Sequence, residues 1–226
     1  MGAQQATRHS PAEALVARTA LLANKPEEPL RATGTVIEVP EGHEICAEGD
    51  ETDLFFKVVS GVVRVCKFLQ DGRRQIESFH TAGEMFGLEL GDERQLSAEA
   101  ITGCSLIAYR RRSVEQQALT DKVVSQQLFQ HAMHSLSQAQ AHSLLLGRRG
   151  AAEKVAAFLL DWASRIPKGT PLHLAMSRQD IADYLGLTIE TVSRSMSQFE
   201  REGTIALSGA RHVNILNRNT LQALAA

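Results

Sequence analysis

Four side chains at positions 189–194 carry groups that can read the edges of DNA base pairs. Arg194 can donate two hydrogen bonds to guanine O6 and N7, and Glu190 can accept one from cytosine N4 or adenine N6. Ile189 can contact a thymine methyl group, and Ser193 can meet a base edge or a phosphate. Glu190 and Arg194 also stand at i and i+4, where an exposed salt bridge worth only about a few tenths of a kcal/mol is the plainer interpretation. Both interpretations can hold, because such a pair would orient Arg194.

Capping residues predict two short helices around this stretch. Ser177 and Asp180 form a capping pair that can begin the first helix. Thr188, followed by Glu190 and Thr191, can cap the second helix. The residues from 189 onward then occupy the N-terminal end of the second helix, which is the end that enters a major groove in DNA-binding proteins.

The spacing of three more residues predicts that these two helices cross. Ala182 is small enough for a close helix contact, and Gly186 can adopt a positive φ in the turn between the helices. Val192 is a β-branched apolar residue that can pack back from the second helix. Together they predict a helix-turn-helix, with a plain helical hairpin as the alternative.

The C-terminal end of the chain predicts a β-hairpin beside this motif. Residues 204–207 and 211–216 are strand-like, and Ser208-Gly209-Ala210 separates them. We interpret this hairpin as a wing that lies on the DNA backbone. The predicted phosphate contacts are Arg178, Thr188, Thr191, Arg211 and His212, although either arginine could instead be an ordinary solvated side chain.

The segment 121–147 predicts one long helix. Asp121 can begin it, and neither glycine nor proline follows until Gly147, so the helix would extend about 39 Å. Its apolar stripe, widened by Phe129 and Met133, needs more than one neighbour. We interpret it as a dimerisation helix, with an ordinary core helix of a monomer as the alternative. The predicted dimer contacts are Leu128, Ala132, Leu136 and Ala139.

Residues 31–120 have the pattern of a small β-domain. Short β-rich runs such as TVIEV, VVRVCKFL and SLIAY alternate with glycines, and Asp71-Gly72 between two runs predicts a hairpin. Ser113 and Gln116 predict a capping box for a short helix that follows. The overall prediction is an α+β chain with a tail (1–30), a β-roll (31–120), a dimerisation helix (121–147) and a winged helix-turn-helix (148–226).

Composition and charge exclude several classes of protein. With 43% hydrophobic and 22% charged residues among 226, the chain lies outside the disordered, collagenous and disulfide-scaffold classes. No apolar run reaches the roughly 18 to 20 residues that cross a bilayer, so we expect no membrane partner and a cytoplasmic location. The net charge is −2, but residues 148–226 carry ten Lys and Arg against seven Asp and Glu, which suits a phosphate-rich partner.

Side chains that could hold a metal are few. His131 and His134 lie one helical turn apart and His142 follows, but polar positions on an exposed helix explain them better than ligation does. We interpret the three cysteines as buried thiols, because they are widely spaced and too few for a four-thiolate cluster. They are Cys46, Cys66 and Cys104.

Catalytic patterns are missing from the sequence. It contains neither a pairing of nucleophile and base nor a phosphate-binding loop. We therefore predict no catalytic residues, no metal ligands, no cofactor and no enzymatic activity.

These motifs together resemble the CRP/FNR superfamily of bacterial transcription regulators over nearly the whole chain. PEGHEICAEGD, FFKVVSGVVRV and AGEMFG match the glycine-marked roll of the family, and ETVSR at 190–194 is similar to the branch of the fumarate and nitrate reduction regulator. HSLLLGRRGAAEKVAAFLL and the helix-turn-helix stretch look most like FixK-type regulators. The resemblance implies a cyclic-nucleotide-binding-like β-roll and a homodimer that contacts RNA polymerase. It also implies a double-stranded DNA operator with outer TTG and CAA, read by Ile189, Glu190 and Arg194.

Three departures from the family pattern limit what the resemblance implies. Leu96-Ser97 stands where cyclic-AMP-binding relatives place the Arg-Ser pair that meets the cyclic phosphate. The phosphate cassette that precedes this pair in the family, here FGLELGDERQL, is also shortened. No cysteine precedes Cys46, whereas oxygen-sensing members carry an N-terminal cysteine cluster. Ser177 stands where some FixK-type proteins have a redox-sensitive cysteine. We therefore expect neither cyclic nucleotide binding nor an iron-sulfur cluster.

Two rival functions remain open. The first keeps the DNA-binding half and makes the β-roll a sensor of haem, nitric oxide or another small molecule. The second is a small-molecule-binding or enzymatic β-barrel with an incidental helical tail, which predicts no specific affinity for DNA.

Overall fold

A computed structural model describes residues 34–148, 150–165 and 171–225 of the chain. These residues form a mixture of helices and antiparallel sheets, which confirms the predicted α+β class. They divide into two compact units: the residues up to Lys67 together with Ser78–Ser135, and Phe68–Glu77 together with Leu136–Ala226. The tail predicted at 1–30 lies outside the described residues.

Residues 34–110 build the β-roll. Their pairings β1–β8, β3–β8, β2–β7 and β4–β7 are antiparallel, and the strands form two four-stranded sheets in the orders β1-β8-β3-β6 and β2-β7-β4-β5. The strands are β1 (Thr35–Val39), β2 (Glu44–Cys46), β3 (Leu54–Ser60), β4 (Val63–Phe68), β5 (Arg74–His80), β6 (Met85–Phe86), β7 (Ser97–Ala100) and β8 (Cys104–Arg110).

The core of the β-roll follows from alternation along its strands. In β1, Ile37 and Val39 are buried while the residues between and before them face outward. Both belong to an apolar cluster that also contains Phe56 and Leu106 of the neighbouring strands. Because successive side chains of a strand point to opposite faces, the sequence pattern is enough to place these residues inside.

Two helices follow the roll, α1 (Arg111–Thr120) and α2 (Lys122–Leu146). The capping box expected at Ser113 and Gln116 is wrong, because α1 begins three residues earlier, with Arg110 in place of Ser113 as an N-cap that makes no side-chain hydrogen bond. The strand β8 runs directly into this helix, and the amide of Arg111 donates to the carbonyl of Asp53 at 2.8 Å. A contact with a distant loop therefore replaces the local cap.

Asp121 begins α2, as expected. Its carboxylate accepts hydrogen bonds from the amides of Val123, at 2.8 Å, and Val124, at 3.3 Å. Val124 then packs into a second apolar cluster of the first unit, together with Phe55 and Tyr109 of the roll. Neither this helix nor any other in the described ranges has both the length and the apolar character needed to span a bilayer.

The second unit contains a small sheet and four more helices within its described residues. Phe158, Ile181 and Phe199 lie on three of these helices and are buried, and two of the helices pack on the third, which carries Phe199. The sheet order is β10-β11-β9, and both pairings are antiparallel. The elements are α3 (Ala151–Ser164), β9 (Leu172–His173), α4 (Arg178–Leu185), α5 (Ile189–Arg201), β10 (Ile205–Ser208), β11 (His212–Ile215) and α6 (Arg218–Leu224).

Candidate nucleic-acid interface

Ser177 and Asp180 form a reciprocal capping box at the start of α4. The hydroxyl of Ser177 accepts a hydrogen bond from the amide of Asp180 at 3.1 Å, and the carboxylate of Asp180 accepts one from the amide of Ser177 at 2.9 Å. The Ser177 hydroxyl also donates to that carboxylate at 2.7 Å. The predicted cap is therefore confirmed, and it satisfies amides that the first turn of a helix leaves open.

Gly186 makes the tight turn between α4 and α5. Its φ of 63° and ψ of 40° are left-handed, a conformation that is costly for residues with a side chain. The amide of Leu187 donates to the carbonyl of Ala182 at 2.9 Å and closes the turn. Thr188 then caps α5 by accepting from the amide of Thr191 at 3.2 Å. Both features were expected from the sequence.

The helix α5 has one buried face and one exposed face. Val192, Met196 and Phe199 are buried against the rest of the unit, and α5 packs on α4 and α3. The four predicted base-reading side chains all lie on the exposed part of the helix, near its N-terminal end. They are Ile189, Glu190, Ser193 and Arg194.

The carboxylate of Glu190 is held in its charged form. Hydrogen bonds from its own backbone amide and from the Thr188 hydroxyl lower the pKa of Glu190 below its usual value, and the positive charge of Arg194 lowers it further. An ionised carboxylate can only accept hydrogen bonds, so this side chain is suited to an amino group on a base edge.

Arg194 is exposed, and within the described ranges its guanidinium forms no ion pair. The salt bridge between Glu190 and Arg194, which was the plainer interpretation of the sequence, is therefore not formed, although the two charges attract one another. Arg201 lies seven positions later on the same exposed face, where it donates to the carbonyl of Ser197 at 3.4 Å. The sequence interpretation omitted Arg201, which the seven-residue spacing from Arg194 could have found.

The predicted wing is present. Strands β10 and β11 pair from Ile205 with Ile215 to Ser208 with His212. Ser208 therefore belongs to β10, and the turn is made by residues 209–211, one position later than the expected 208–210. Arg211, the last residue of the turn, and His212, the first residue of β11, are both exposed. His212 pairs with His173 of β9, and their rings meet edge to face at 4.8 Å between centroids.

Arg178 is the first residue of α4 and is only half-exposed. Burial lowers the pKa of its guanidinium from the usual value, and one nitrogen, Nη1, is buried without a hydrogen-bond partner among the described residues. Thr188, at the start of α5, is exposed, and Thr191 is partly exposed. An anion at the N-terminal ends of α4 and α5 would meet these groups and the helix dipoles.

The long helix α2 carries an apolar stripe that the described part of the chain leaves uncovered. Phe129 is 66% exposed, Leu136 is 50% exposed, and Met133 lies between them on the same side. Of the predicted dimer contacts, Ala132, Leu136 and Ala139 are exposed. Leu128 differs from them, because it packs against the apolar cluster of its own β-roll.

Leu96 points into the β-roll. At the position where the family resemblance would place a phosphate-binding arginine, this side chain is partly buried against the apolar core cluster. The charged side chain of this cassette that lies inside the roll is instead that of Arg94, which is only 2% exposed. Sequence reasoning missed Arg94, since a charged residue in a glycine-rich loop is normally expected on the surface.

The guanidinium of Arg94 is enclosed by the chain itself. It donates hydrogen bonds to the carbonyl of Leu54 and, at 3.5 Å, to that of Gly87. Its Nη1 lies 3.8 Å from the carboxylate of Glu89, and its central carbon lies 5.8 Å from the centre of the Phe56 ring. An arginine contributed by the cassette thus provides the positive charge inside this part of the roll.

The histidines of α2 lie in two different surroundings. His131 and His134 both interact with the charge of Glu84, and burial, with the charge of His134, lowers the pKa of His131. Nε2 of His134 lies 3.9 Å from the carboxylate of Glu84. His142, in contrast, is buried: its Nε2 forms a hydrogen bond with the carbonyl oxygen of Tyr184 at 2.8 Å, and its imidazole stacks on the aromatic ring of Tyr184. The expectation that His142 is an exposed polar position is wrong, because this end of the helix packs on α4. Among the described residues, no three side chains of the metal-binding types form a group.

Two family models match the chain. The Crp-like helix-turn-helix domain matches residues 153–224, and the cyclic nucleotide-binding domain matches residues 36–121. The first match contains α4, α5 and the wing, and the second contains the β-roll.

Relatives and solved structures resemble nearly the whole chain. The nitrogen fixation regulation protein FixK of Rhizobium meliloti (strain 1021) is 43% identical over 196 residues, which are 87% of this chain and 90% of that protein. The protein of the same name from Azorhizobium caulinodans is 42% identical over 205 residues, with 88% and 83% covered. The structure of FixK2 from Bradyrhizobium japonicum, 43% identical, matches with a TM-score of 0.81 over 86% of this chain and 98% of that chain.

Proposed function

Because the chain belongs to the CRP/FNR family of transcription regulators, and within it to the FixK type, we propose that it binds a palindromic DNA operator as a homodimer. The operator carries TTG and CAA at its outer ends, and the bound dimer contacts RNA polymerase in the cytoplasm. The chain is a regulator with a helix-turn-helix domain and not an enzyme.

The arrangement of Glu190 and Arg194 carries the proposal. Both side chains stand on the exposed face at the start of α5, Glu190 as an ionised acceptor and Arg194 as a donor that forms no ion pair with the residues the structure describes. Arg194 can then bind guanine O6 and N7 with two hydrogen bonds, and Glu190 can accept from the cytosine or adenine of a neighbouring pair. Ile189 supplies an apolar contact for a thymine methyl group, and Ser193 a polar one.

Phosphate contacts fix this helix in the groove. Thr188 and Thr191 lie at the N-terminal end of α5, and Arg178 lies at the same end of α4 with a guanidinium nitrogen that needs an acceptor. Arg211 and His212 present a second set of donors on the wing. Such contacts set orientation and affinity without reading sequence.

A second copy of the chain covers the apolar stripe of α2. Phe129, Met133 and Leu136 recur at four and three positions, which is the spacing by which two helices pack along a shared seam. Ala132 and Ala139 flank this line, whereas Leu128 supports the helix from its own β-roll. Two recognition helices related by a two-fold axis then match the two halves of a palindrome.

We infer that the β-roll works without a cyclic nucleotide or an iron-sulfur cluster. Leu96 offers no charge to a cyclic phosphate, and the guanidinium of Arg94 is already engaged by Glu89 and by two backbone carbonyls. The cysteines Cys46, Cys66 and Cys104 are buried and lie apart from one another in the sequence.

Selection of bound DNA from a random pool tests the proposal. The purified protein should enrich a palindrome with outer TTG and CAA, equally well with and without cyclic AMP at millimolar concentration. A visible absorption spectrum of the same sample tests the rival haem sensor, which would show an absorption band. Failure to enrich any sequence, or enrichment only with the nucleotide, would contradict the corresponding part of the proposal.

A further inference from the structure

Arg74 makes a buried ion cluster with two carboxylates of α4. Its Nη2 lies 2.5 Å from the carboxylate of Asp180, and its Nε and Nη2 lie 2.9 Å and 2.8 Å from that of Asp183. The three side chains are 16%, 5% and 13% exposed, respectively. Arg74 stands 106 positions before Asp180 in the sequence, yet segment Phe68–Glu77 belongs to the same compact unit as α4.

The oxygens of the two carboxylates are divided between local and distant partners. Asp180 uses one oxygen for the Ser177 cap and gives the other to Arg74. Asp183 accepts a hydrogen bond from Gln179 at 2.6 Å on one oxygen and from Arg74 on the other. Each carboxylate therefore links the helix to itself and to the segment that carries Arg74.

This division gives Arg74 a role that a surface arginine does not have. Asp180 and Asp183 lie one turn apart and repel each other, and their burial raises the cost of that repulsion unless a cation lies between them. The planar guanidinium can meet both carboxylates at once, which a lysine ammonium at the end of a flexible stem does less well.

We propose that Arg74 is a positioning residue for DNA recognition, which holds α4 through Asp180 and Asp183 and so fixes the turn and α5 that follow. This inference rests on the proposed DNA-binding function. Arg74 itself need not contact DNA, because its guanidinium is committed to α4.

The neighbouring arginine supplies a matched control. Arg73 lies on the same hairpin, but its side chain is 76% exposed and pairs with the exposed Asp71. Arg73→Ala and Arg74→Ala remove the same charge from nearly the same place, so general attraction to DNA falls equally in both variants. Any additional loss in Arg74→Ala then reports the position of the helix-turn-helix.

The experiment measures binding of the full-length variants to the selected operator and to random DNA by fluorescence anisotropy, with the active fraction determined by titration. Arg74→Ala should lose about tenfold or more in operator affinity beyond Arg73→Ala, which corresponds to about 1.4 kcal/mol. Arg74→Lys should recover part of this loss. Equal operator affinities of the two alanine variants would overturn the inference.

Hydrogen exchange keeps the inference testable if Arg74→Ala does not fold. The amides of α4 should then exchange faster in Arg74→Lys than in Arg73→Ala, and equal exchange would overturn the inference. If the wild-type chain selects no DNA at all, the proposed function fails, whereas the exchange measurement still decides whether Arg74 positions α4.

Discussion

A methyl group added to Gly87 would lie 2.8 Å from Nη1 of Arg94 and 3.6 Å from the Cα of Phe55. The absence of a side chain at Gly87 therefore makes room for the buried guanidinium. This contact joins two residues of the shortened cassette, and it explains how a charged group can fill the interior of a loop that resembles a nucleotide site.

Gly87→Ala should destabilise the β-roll through Arg94. Gly87 has a φ of 82°, so alanine is strained there in any case, and the displaced guanidinium also loses bonds to buried carbonyls. Gly83→Ala is the control, because Gly83 has a φ of 94° but open space around it. The unfolding free energy of Gly87→Ala should fall by about 1–3 kcal/mol more than that of the control. Equal chemical denaturation curves would show that Arg94 moves at no cost.

Leu136→Glu should produce a folded monomer. Leu136 is 50% exposed in the single chain, so the glutamate is tolerated there, but in the proposed seam it would bury a charge at a cost of several kcal/mol. Leu119→Glu is the control, since Leu119 on α1 is 85% exposed and lies off the stripe. Analytical ultracentrifugation at micromolar concentration should show a monomer for the first variant and a dimer for the second. A stable Leu136→Glu dimer would refute the seam.

Arg194→Ala should remove base discrimination, whereas Arg211→Ala should not. Loss of the paired hydrogen bonds to guanine should cost about 1–3 kcal/mol in each half-site and abolish the preference for that base. Loss of a phosphate contact on the wing should weaken all sequences alike and reduce the salt dependence. Binding to the operator and to its guanine-substituted variant, measured at several salt concentrations, separates the two effects. Equal loss on both DNAs for Arg194→Ala would contradict its assignment.

The native thiols should react slowly. Burial raises the pKa of Cys46 to about 11 and also raises the pKa of Cys104. At pH 8 the thiolate fraction of Cys46 is then about 0.1%, and thiolate is the reactive form. A disulfide reagent should label the folded protein slowly and all three cysteines quickly in denaturant. Rapid labelling without loss of structure would contradict this expectation.

The same pKa shift sets the direction of a pH effect on stability. In the unfolded chain the thiol of Cys46 loses its proton near pH 9, whereas in the folded protein it does so only near pH 11. Between these values deprotonation lowers the free energy of the unfolded state relative to that of the folded state. The contribution of Cys46 to stability is therefore fully present below about pH 9 and is lost as the pH rises toward 11. Denaturation midpoints across that range should fall more in the wild type than in Cys46→Ala.

Local signals in the sequence were enough to predict the recognition motif. The cap at Ser177, the turn at Gly186 and the cap at Thr188 each depend on partners no more than five positions apart in the sequence, and the structure has all three. Asp121 at the start of α2 and the absence of glycine and proline before Gly147 likewise predicted the ends of this helix to within a residue.

Features that depend on distant partners could not be predicted in this way. The early start of α1 follows from Asp53, the burial of His142 follows from Tyr184, and Leu128 faces its own β-roll because of residues in three strands. A single sequence shows which residues are polar or apolar, but it does not show which of them meet when they lie far apart along the chain. Arg94 was missed for the same reason.

The bond between Arg74 and the carboxylates of α4 also affects how this protein can be recombined with its relatives. A hybrid that joined residues 136–226 to the β-roll of another regulator would carry Asp180 and Asp183 but leave their arginine behind. The two buried carboxylates would then lack a cation unless the hairpin of the other regulator supplied one at the position of Arg74. The unit of exchange between such regulators is therefore discontinuous in sequence, and a functional hybrid should include the hairpin segment Phe68–Glu77 with the helix-turn-helix.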